Sequence, residues 1–272
     1  MAFEFRRATP HPALAGVALR YEGFSQRAAG PVRFLELPCT YVPVIVDLGA
    51  GWSLSDPRRP DEPPTWKGSF VAGLTDGPVR VEHPGEAECL QVDLTPLAAR
   101  RLLGVPMDEL ANRTVDLGDV LGAPAARELI GRIAEARGRD ERFALVDRAL
   151  ARRLGAAPLP GREMPWALAR VADGAPVGEV ARELGWSHRR LIGRFRDQVG
   201  LPPKRVGRIA RLERLVAELR RGGAGGWARM AAACGYFDQP HLAREVRELT
   251  GLTPTALRAE VNSVQDLAAS PS

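Results

Sequence analysis

Basic side chains are concentrated in one short stretch of the chain. His188, Arg189, Arg190, Arg194 and Arg196 fall within nine residues. An arginine guanidinium presents a planar fork of donors that can pair bidentately with a guanine edge or with a phosphate. For any single arginine the simplest alternative is an exposed ion pair, which contributes little. The concentration of charge therefore indicates a surface that binds a polyanion.

The elements that must position these side chains form a pattern that occurs twice. In the first copy the apolar positions are Val177, Val180, Ala181 and Leu184, followed by Gly185. Fifty positions later the same spacing returns as Trp227, Met230, Ala231 and Cys234, followed by Gly235. Apolar residues at this spacing share one face of a helix, and the glycine allows the chain to turn. Each copy therefore predicts a short helix and its end.

A second helix follows in both copies, now at an offset of fifty-one. The corresponding pairs are Leu191 with Leu242, Phe195 with Val246, Gly200 with Gly251 and Pro203 with Pro254. Ser187 and Asp238 are predicted N-caps of these second helices. Duplicated helical hairpins also build solenoids and scaffolds, but two copies alone favour a bundle, and the basic second helix favours DNA.

The segment from about Pro165 to Glu260 resembles the DNA-binding domain of the AraC/XylS transcriptional regulators, which holds two helix-turn-helix units. The most specific part is "GYFDQPHLAREVRELTGLTP", which begins at Gly235. Val246 stands where that family usually has Phe, and Leu257 where an aromatic residue usually precedes Arg258. Both replacements are apolar, so we expect the packing to survive.

In a helix-turn-helix the second helix lies in the major groove with its first turns toward the bases. The residues expected nearest DNA are Ser187, His188, Arg189, Gln239, Pro240 and His241. Arg189 and Gln239 are the predicted base readers, and Arg190, Arg194 and Arg244 are predicted to contact phosphates.

Two further positions of the first reading helix depart from the resembling family, which often has polar residues there. Ile192 can contact a thymine methyl group. Gly193 costs about 1 kcal/mol in a helix interior relative to Ala, so it either permits close approach to DNA or marks reduced base reading. Between the copies, Val206–Leu219 is predicted as one helix that rises about 21 Å and holds the two reading helices in successive grooves.

Composition separates the two halves of the chain. The 272 residues carry a net charge of +5, of which residues 162–262 hold +7, so the remainder is at −2. Basic residues displace counterions from phosphates, which favours a polyanion partner for the C-terminal part. The chain has neither an apolar run of membrane-spanning length nor a signal-peptide core, and its three cysteines are scattered. These features predict a cytoplasmic, nucleoid-associated protein with reduced thiols and no membrane contact.

The N-terminal half has short β-branched runs separated by turns, followed by helical patterns. The predicted strands are "TYVPVIVDL", "FVAGL", "PVRVEH" and "ECLQVDL", and the predicted helices are Leu97–Leu103, Ala123–Ala136 and Arg142–Leu154. The predicted fold class is α+β, a small β-barrel or sandwich with appended helices followed by an all-α domain. The expected boundaries are 1–154 for the β-rich domain, 155–163 for a linker, 164–261 for the DNA-binding domain and 262–272 for a disordered tail.

The AraC/XylS resemblance implies that this front half is a cupin-like effector-sensing barrel followed by helices that mediate dimerisation. The expected partners are double-stranded promoter DNA, RNA polymerase, a small-molecule effector and a second copy of the chain. Tyr41, Trp52 and Trp66 are candidate pocket residues for an apolar or planar ligand, although tryptophan in a small β-domain more often anchors the core. We expect residues 1–160 to self-associate through the helices around Leu129 and Val146, although that stripe can instead pack on the barrel.

No metal, cofactor or catalytic residue is predicted. A site built from Cys39, His83 and Cys89 is the sole metal arrangement that the residue types suggest, and scattered Cys and His are usually packing residues. The sequence contains neither a Gly-x-Ser-x-Gly elbow nor a Gly-rich phosphate loop. The alternatives to a sequence-specific regulator are an architectural DNA-binding protein with little base preference and an enzyme with a DNA-tethering tail.

Overall fold

The protein is an α+β chain with a β-rich N-terminal part and an all-helical C-terminal part, which confirms the predicted fold class. The computed structural model describes residues 2–155, 161–223 and 225–269, with side chains described as far as Val261. Strands end at residue 116, and helices account for the regular structure after that point in these ranges.

The N-terminal domain consists of two antiparallel sheets. The six-stranded sheet has the order β1 (Ala2–Ala8), β2 (Ala18–Arg27), β9 (Glu86–Leu94), β4 (Val42–Asp47), β7 (Phe70–Ala72) and β10 (Thr114–Asp116). The four-stranded sheet has the order β3 (Val32–Glu36), β8 (Val79–His83), β5 (Trp52–Ser55) and β6 (Thr65–Lys67). The two sheets enclose an apolar core between them, as expected of the small β-barrel or sandwich that the sequence predicts.

The larger sheet is covered on both faces. Successive side chains of a strand point to opposite faces, so its apolar residues pack on both sides. Along β4, Ile45 joins Trp52 and Val81 in a core between the two sheets. Its neighbour Val46 points the other way and packs with Tyr21 and the helices behind the sheet. This two-sided burial explains why "TYVPVIVDL" is apolar throughout rather than alternating.

Four helices follow or flank the strands of this domain: α1 (Pro96–Leu103), α2 (Leu117–Leu121), α3 (Ala123–Glu135) and α4 (Arg139–Gly155). The three predicted helices are confirmed within a few residues at their ends. Val146 of α4 is buried in the core of the single chain, as are Phe143 and Leu145. The predicted self-association surface around Leu129 and Val146 is therefore wrong for Val146, because the helical stripe packs on the barrel.

The β1–β2 hairpin lies outside the region that the sequence analysis assigned to strands. Phe5 of β1 pairs with Phe24 of β2, and β2 in turn pairs with β9 along its length. Many positions of both strands are polar, and Gly23 interrupts the pattern of β2. The hairpin therefore lacks the apolar run from which the other strands were predicted.

The C-terminal domain is built from α5 (Glu163–Ala172), α6 (Val177–Glu183), α7 (His188–Val199), α8 (Pro203–Arg220), α9 (Trp227–Cys234), α10 (Gln239–Thr250) and α11 (Pro254–Ala269). The duplicated hairpins are α6–α7 and α9–α10, as predicted. Residues 156–160 of the expected linker lie outside the described residues. The backbone of α11 is helical to Ala269, beyond the expected domain end at 261, and residues 270–272 of the expected tail lie outside the described residues.

The barrel domain packs directly on the first helical hairpin and on α8. Gly200, at the end of α7, has φ +100° and lies against the Met107 carbonyl, where an added Cβ would come within 2.9 Å of the oxygen. Thr40 donates from its backbone nitrogen and its hydroxyl to the Glu213 carboxylate at 2.9 and 2.6 Å. A buried core runs through this contact without interruption. The two domains are therefore held together by packing and by polar contacts.

Candidate nucleic-acid interface

The first hairpin presents its second helix with a capped start. Gly185 adopts φ +65°, a conformation that favours glycine, and reverses the chain after α6. The Ser187 hydroxyl accepts a hydrogen bond from the Arg190 backbone nitrogen at 3.2 Å, which confirms it as the N-cap of α7. The helix therefore begins at His188, with its first turn at the surface.

The apolar positions of α7 face the domain core. Leu191, Phe195 and Val199 are fully buried and pack near Val180 and Ala181 of the preceding helix. Because these residues recur at a spacing of four, the opposite face of the helix is turned outward. The outward residues are Ser187, His188, Arg189, Arg190, Gly193, Arg194 and Arg196, and Ile192 is half-buried at their margin.

The exposed cations of α7 differ in how they are held. Arg190 lies over the Trp186 ring, with its guanidinium carbon 4.7 Å from the ring centroid. The His188 ring lies against α6, where a Cβ added at Gly178 would be 3.2 Å from its Nε2. Among the described residues, neither Arg189 nor Arg194 makes an ion pair. Both guanidiniums are therefore accessible to an external anion.

The second hairpin repeats this arrangement with α10. Gly235 has φ +81°, and the Asp238 carboxylate accepts from the His241 backbone nitrogen at 2.7 Å, which confirms the second predicted N-cap. Gln239, Pro240 and Arg244 are exposed. These three predicted contact residues lie on the outward side of the helix start.

His241 is positioned differently from the sequence-based expectation of a free DNA-facing side chain. Its Nδ1 accepts from the Phe237 backbone nitrogen at 3.2 Å, and its Nε2 lies 3.7 Å from Glu245. The ring also meets Tyr236 edge-on at 5.5 Å between centroids. The half-buried imidazole therefore stabilises the turn as well as lying beside the surface.

Phe237 was not singled out by the sequence analysis. It lies in the turn immediately before the Asp238 cap, and 92% of its side chain is exposed. The exposure of Phe237 could not be predicted from the sequence, because residue type alone does not reveal exposure.

A network of arginines and glutamates fixes α10 against α8. Arg208 and Arg211 both donate to Glu245, at 2.9 Å in each case, and Arg208 also pairs with Glu248. Burial opposes the charge on Arg208, but its hydrogen bonds to the two carboxylates raise the pKa of the guanidinium overall. These arginines orient the second reading helix instead of facing outward.

Helix α8 connects the two hairpins as a single rigid element. It spans Pro203–Arg220, longer than the predicted Val206–Leu219, because its first turn starts at a proline. Eighteen residues rise about 27 Å. Its buried positions include Ile209, Leu212 and Leu215, which contact both hairpins.

The three candidate ligand residues of the barrel are not brought together. Trp52 is buried between the sheets and donates to Asp47 at 2.9 Å. Trp66 pairs in register with Ser53, the neighbour of Trp52, so it lies on the opposite face and is exposed. The Tyr41 hydroxyl accepts from Arg20 at 2.8 Å beside the contact with α8.

The remaining cysteine and histidine candidates do not form a metal site. No group of three or more metal-ligating side chains occurs within the described ranges. His83 is buried, its Nε2 lies 2.9 Å from the Gln26 amide oxygen, and burial lowers the pKa of the imidazole. No helix in the described part of the chain has both the length and the apolar character needed to cross a membrane.

Two protein families match parts of the chain. Residues 180–260 match a helix-turn-helix domain, and residues 6–116 match a domain of unknown function, DUF6597. The first range covers most of both hairpins, and the second covers the strands of the barrel. No curated protein sequence is significantly similar to the chain.

Several solved structures share parts of the fold at low sequence identity. ToxT from Vibrio cholerae bound to (E)-4-(8-methylnaphthalen-1-yl)but-3-enoic acid is 8% identical, with 96% of this chain and all of that chain covered and a TM-score of 0.49. Wild-type ToxT bound to an unsaturated fatty acid is 10% identical over 94% and 98% of the two chains, with a TM-score of 0.45. The xylose-binding transcription activator xylR is 17% identical over 44% and 38%, with a TM-score of 0.29.

Proposed function

We propose that the chain is a DNA-binding transcription regulator of the AraC/XylS type, in which α7 and α10 read two adjacent major-groove segments of one promoter site. The observation that carries the proposal is the pair of capped helices, each preceded by a glycine turn and each exposing its first residues. Helix α8 joins the two hairpins, and the ion pairs from Arg208 and Arg211 to Glu245 fix α10 against it. These contacts would keep the two helices at a fixed distance, as binding to two successive major-groove segments requires.

The proposed roles follow from exposure and position along each helix. Arg189 and Gln239 read base edges, since each lies in an exposed first turn. Arg190, Arg194 and Arg244 contact phosphates. Ser187, His188, Pro240 and His241 lie beside the base readers at the helix starts, and Ile192 and Gly193 lie on the flank of α7. Promoter DNA and RNA polymerase are the proposed partners, and the cytoplasm is the proposed location.

A gel-shift comparison over a salt series tests this proposal. The full chain is titrated into a promoter fragment that it binds and, separately, into a scrambled fragment of the same base composition. We expect at least about a thousandfold preference for the promoter at physiological salt, as is typical of specific regulators. Equal affinity for both fragments would instead indicate an architectural protein and would contradict the proposal.

We further propose that the barrel domain controls DNA reading through its contact with α7 and α8. Arg100 pairs with Asp197 of α7 at 3.2 Å, and Asp76 pairs with Arg205 of α8 at 3.3 Å. With Thr40 on Glu213, these contacts tie the barrel domain to the first hairpin and to the connecting helix. A small-molecule effector or a dimer partner that shifts the barrel domain would therefore shift α7.

The effector pocket and the dimer surface are parts of this proposal. Trp52 and the rings around it lie between the two sheets, where an apolar or planar ligand would displace core contacts. Tyr41 is placed at the domain contact and Trp66 outside, so these three residues would not serve one ligand. Sedimentation of the full chain over a concentration series tests dimerisation, and a monomer at the highest concentration would contradict it.

A further inference from the structure

An open groove of about 840 Å³ lies where the barrel meets the turn between α3 and α4. One wall is formed by β1, β2 and the start of β9, and the other by residues 136–142. It is separate from the reading helices and from the candidate ligand residues Tyr41, Trp52 and Trp66. Its position would let one ligand touch both the barrel and its appended helices.

Five arginines from three segments of the chain line this groove, and none of them is among the proposed DNA contacts. They are Arg6, Arg27, Arg137, Arg139 and Arg142. Three carboxylates, Glu4, Glu86 and Glu88, line it as well, and Asp140 pairs with Arg6 at 3.1 Å, which leaves an excess of one positive charge at neutral pH. Converging guanidiniums with excess charge favour an anionic ligand with more than one acidic group.

The two arginines at the base of the groove are held in place by the fold. Arg139 donates to the Ser25 hydroxyl at 3.0 Å and pairs with Glu4 at 2.7 Å. Gly23, in the middle of β2, makes room for it, because an added Cβ would lie 3.3 Å from the Arg139 Cδ. The φ angle of Gly23 is not positive, so the backbone conformation does not require glycine at this position. The absence of a side chain instead leaves room for Arg139.

Arg142 is incompletely paired. Its Nη1 donates to Glu88 at 2.6 Å, while its Nε is buried without a hydrogen-bond partner in the described part of the chain. A buried donor left unsatisfied is unfavourable. A small shift of the guanidinium toward a bidentate anion would satisfy donors that Glu88 leaves unused.

The arginines at the rim are weakly engaged. Arg27 lies 3.7 Å from Glu86, with both side chains more than three-quarters exposed, so this pair contributes little. The Arg137 guanidinium has no ion pair with any described residue, since its recorded contact is from the backbone nitrogen to Glu141. These cations are available without breaking a buried contact.

We infer that this groove binds a small polyanionic metabolite bearing at least two carboxylate or phosphate groups. Arg139 and Arg142 hold one acidic group at the base, and Arg27 and Arg137 hold the other at the rim. The Ser25 hydroxyl, which also lines the groove, offers a hydrogen bond to its polar body. The inference concerns the barrel domain alone and stands apart from the proposed reading of DNA.

Isothermal titration of the full chain with citrate, inorganic pyrophosphate and the neutral sugar glucose tests the inference. Citrate and pyrophosphate separate carboxylate from phosphate recognition, and saturable binding of either supports the site. We expect Arg142→Gln and Arg27→Gln each to weaken that binding about tenfold or more, because each removes charge-assisted hydrogen bonds. The matched control is Arg132→Gln, an exposed arginine of α3 that does not line the groove, which should bind as the parent does.

Thermal unfolding of each variant shows whether it is folded, and Arg27→Gln keeps the test valid if Arg142→Gln is destabilised, since Arg27 is at the rim. Absence of saturable binding by both anions would overturn the inference, and so would an equal loss in Arg132→Gln. The groove variants should bind promoter DNA as the parent does. A uniform loss of DNA affinity would identify the groove as a DNA-backbone surface and would also overturn the inference.

Discussion

Arg189 and Arg194 of α7 are both exposed and neither makes an ion pair with a described residue, but they lie five positions apart, about 1.4 helical turns. We expect Arg189→Ala to remove the preference at one base pair, at a cost of about 1–3 kcal/mol for the preferred base. Arg194→Ala should weaken every sequence alike and reduce the salt slope by about one. Fluorescence anisotropy with single-position operator variants over a salt series measures both, and unchanged selectivity in Arg189→Ala would refute the assignment.

Asp238 caps α10 through the His241 backbone nitrogen. We expect Asp238→Ala to lower the free energy of unfolding by about 1 kcal/mol, the usual loss when an N-cap is removed. Asp238→Asn should retain most of the stability, because the amide oxygen can also accept the bond. Urea denaturation measures the difference, and an unchanged stability of Asp238→Ala would show that the cap contributes nothing.

At the residue scale, the sequence predicted what depends on local chemistry. Ser187 and Asp238 were predictable as N-caps because a short side chain with an acceptor oxygen, placed just before a helix, commonly accepts a hydrogen bond from the first-turn backbone. The inward use of His241 and the exposure of Phe237 depend on how the turn packs against Tyr236 and Glu245. Residue type and spacing do not determine that packing.

At the element scale, Gly193 is a residue of low helix propensity in the interior of α7. An added Cβ there would meet no atom within 4 Å, so the protein itself has no packing reason for glycine. We therefore expect Gly193→Ala to stabilise the fold by about 0.5–1 kcal/mol. We also expect it to lower DNA affinity, because the methyl group would stand on the outward face beside Arg189.

Thermal unfolding and gel shift on the same Gly193→Ala preparation separate these two effects. Gln198→Ala, an uncharged substitution near the end of α7, provides a comparison for general perturbation of the helix. Higher stability with unchanged DNA affinity would indicate that the first hairpin reads fewer bases rather than approaching DNA closely.

The helices were more predictable than the strands, for a physical reason. The spacing of Leu191, Phe195 and Val199 repeats with the period of a helix, whereas the β1–β2 hairpin gains its stability from pairing with β9. The separation of Tyr41, Trp52 and Trp66 could not be predicted for a related reason. Which face of a strand a residue occupies depends on register, and register is set by partners distant in sequence.

At the scale of the whole molecule, buried acids link stability to pH. Asp93 has no exposed side chain, and burial raises the pKa of its carboxyl to about 6, although Arg20 lies 2.7 Å away and opposes the shift. The Arg20 Nε and the Asp93 Oδ2 are close but not aligned for a hydrogen bond. The folded chain therefore holds a proton on Asp93 that the unfolded chain releases at lower pH.

A group with a raised carboxyl pKa stabilises the fold below its unfolded pKa, and this contribution is lost as pH rises through the folded value. We expect the free energy of unfolding to fall by on the order of 1–3 kcal/mol between pH 4 and 6 from Asp93 alone. Asp93→Asn should flatten this part of the curve. Urea midpoints across the range measure it, and parallel curves for parent and variant would contradict the assignment.

Selection of bound duplexes from a randomised oligonucleotide pool by the full chain tests the central claim most directly. We predict enrichment of two short conserved blocks with centres about 10 base pairs apart, one helical turn, since α8 joins the two reading helices into one unit. One position of one block should become random when the selection is repeated with Arg189→Ala. A selected pool with no enrichment over the starting pool would contradict the account.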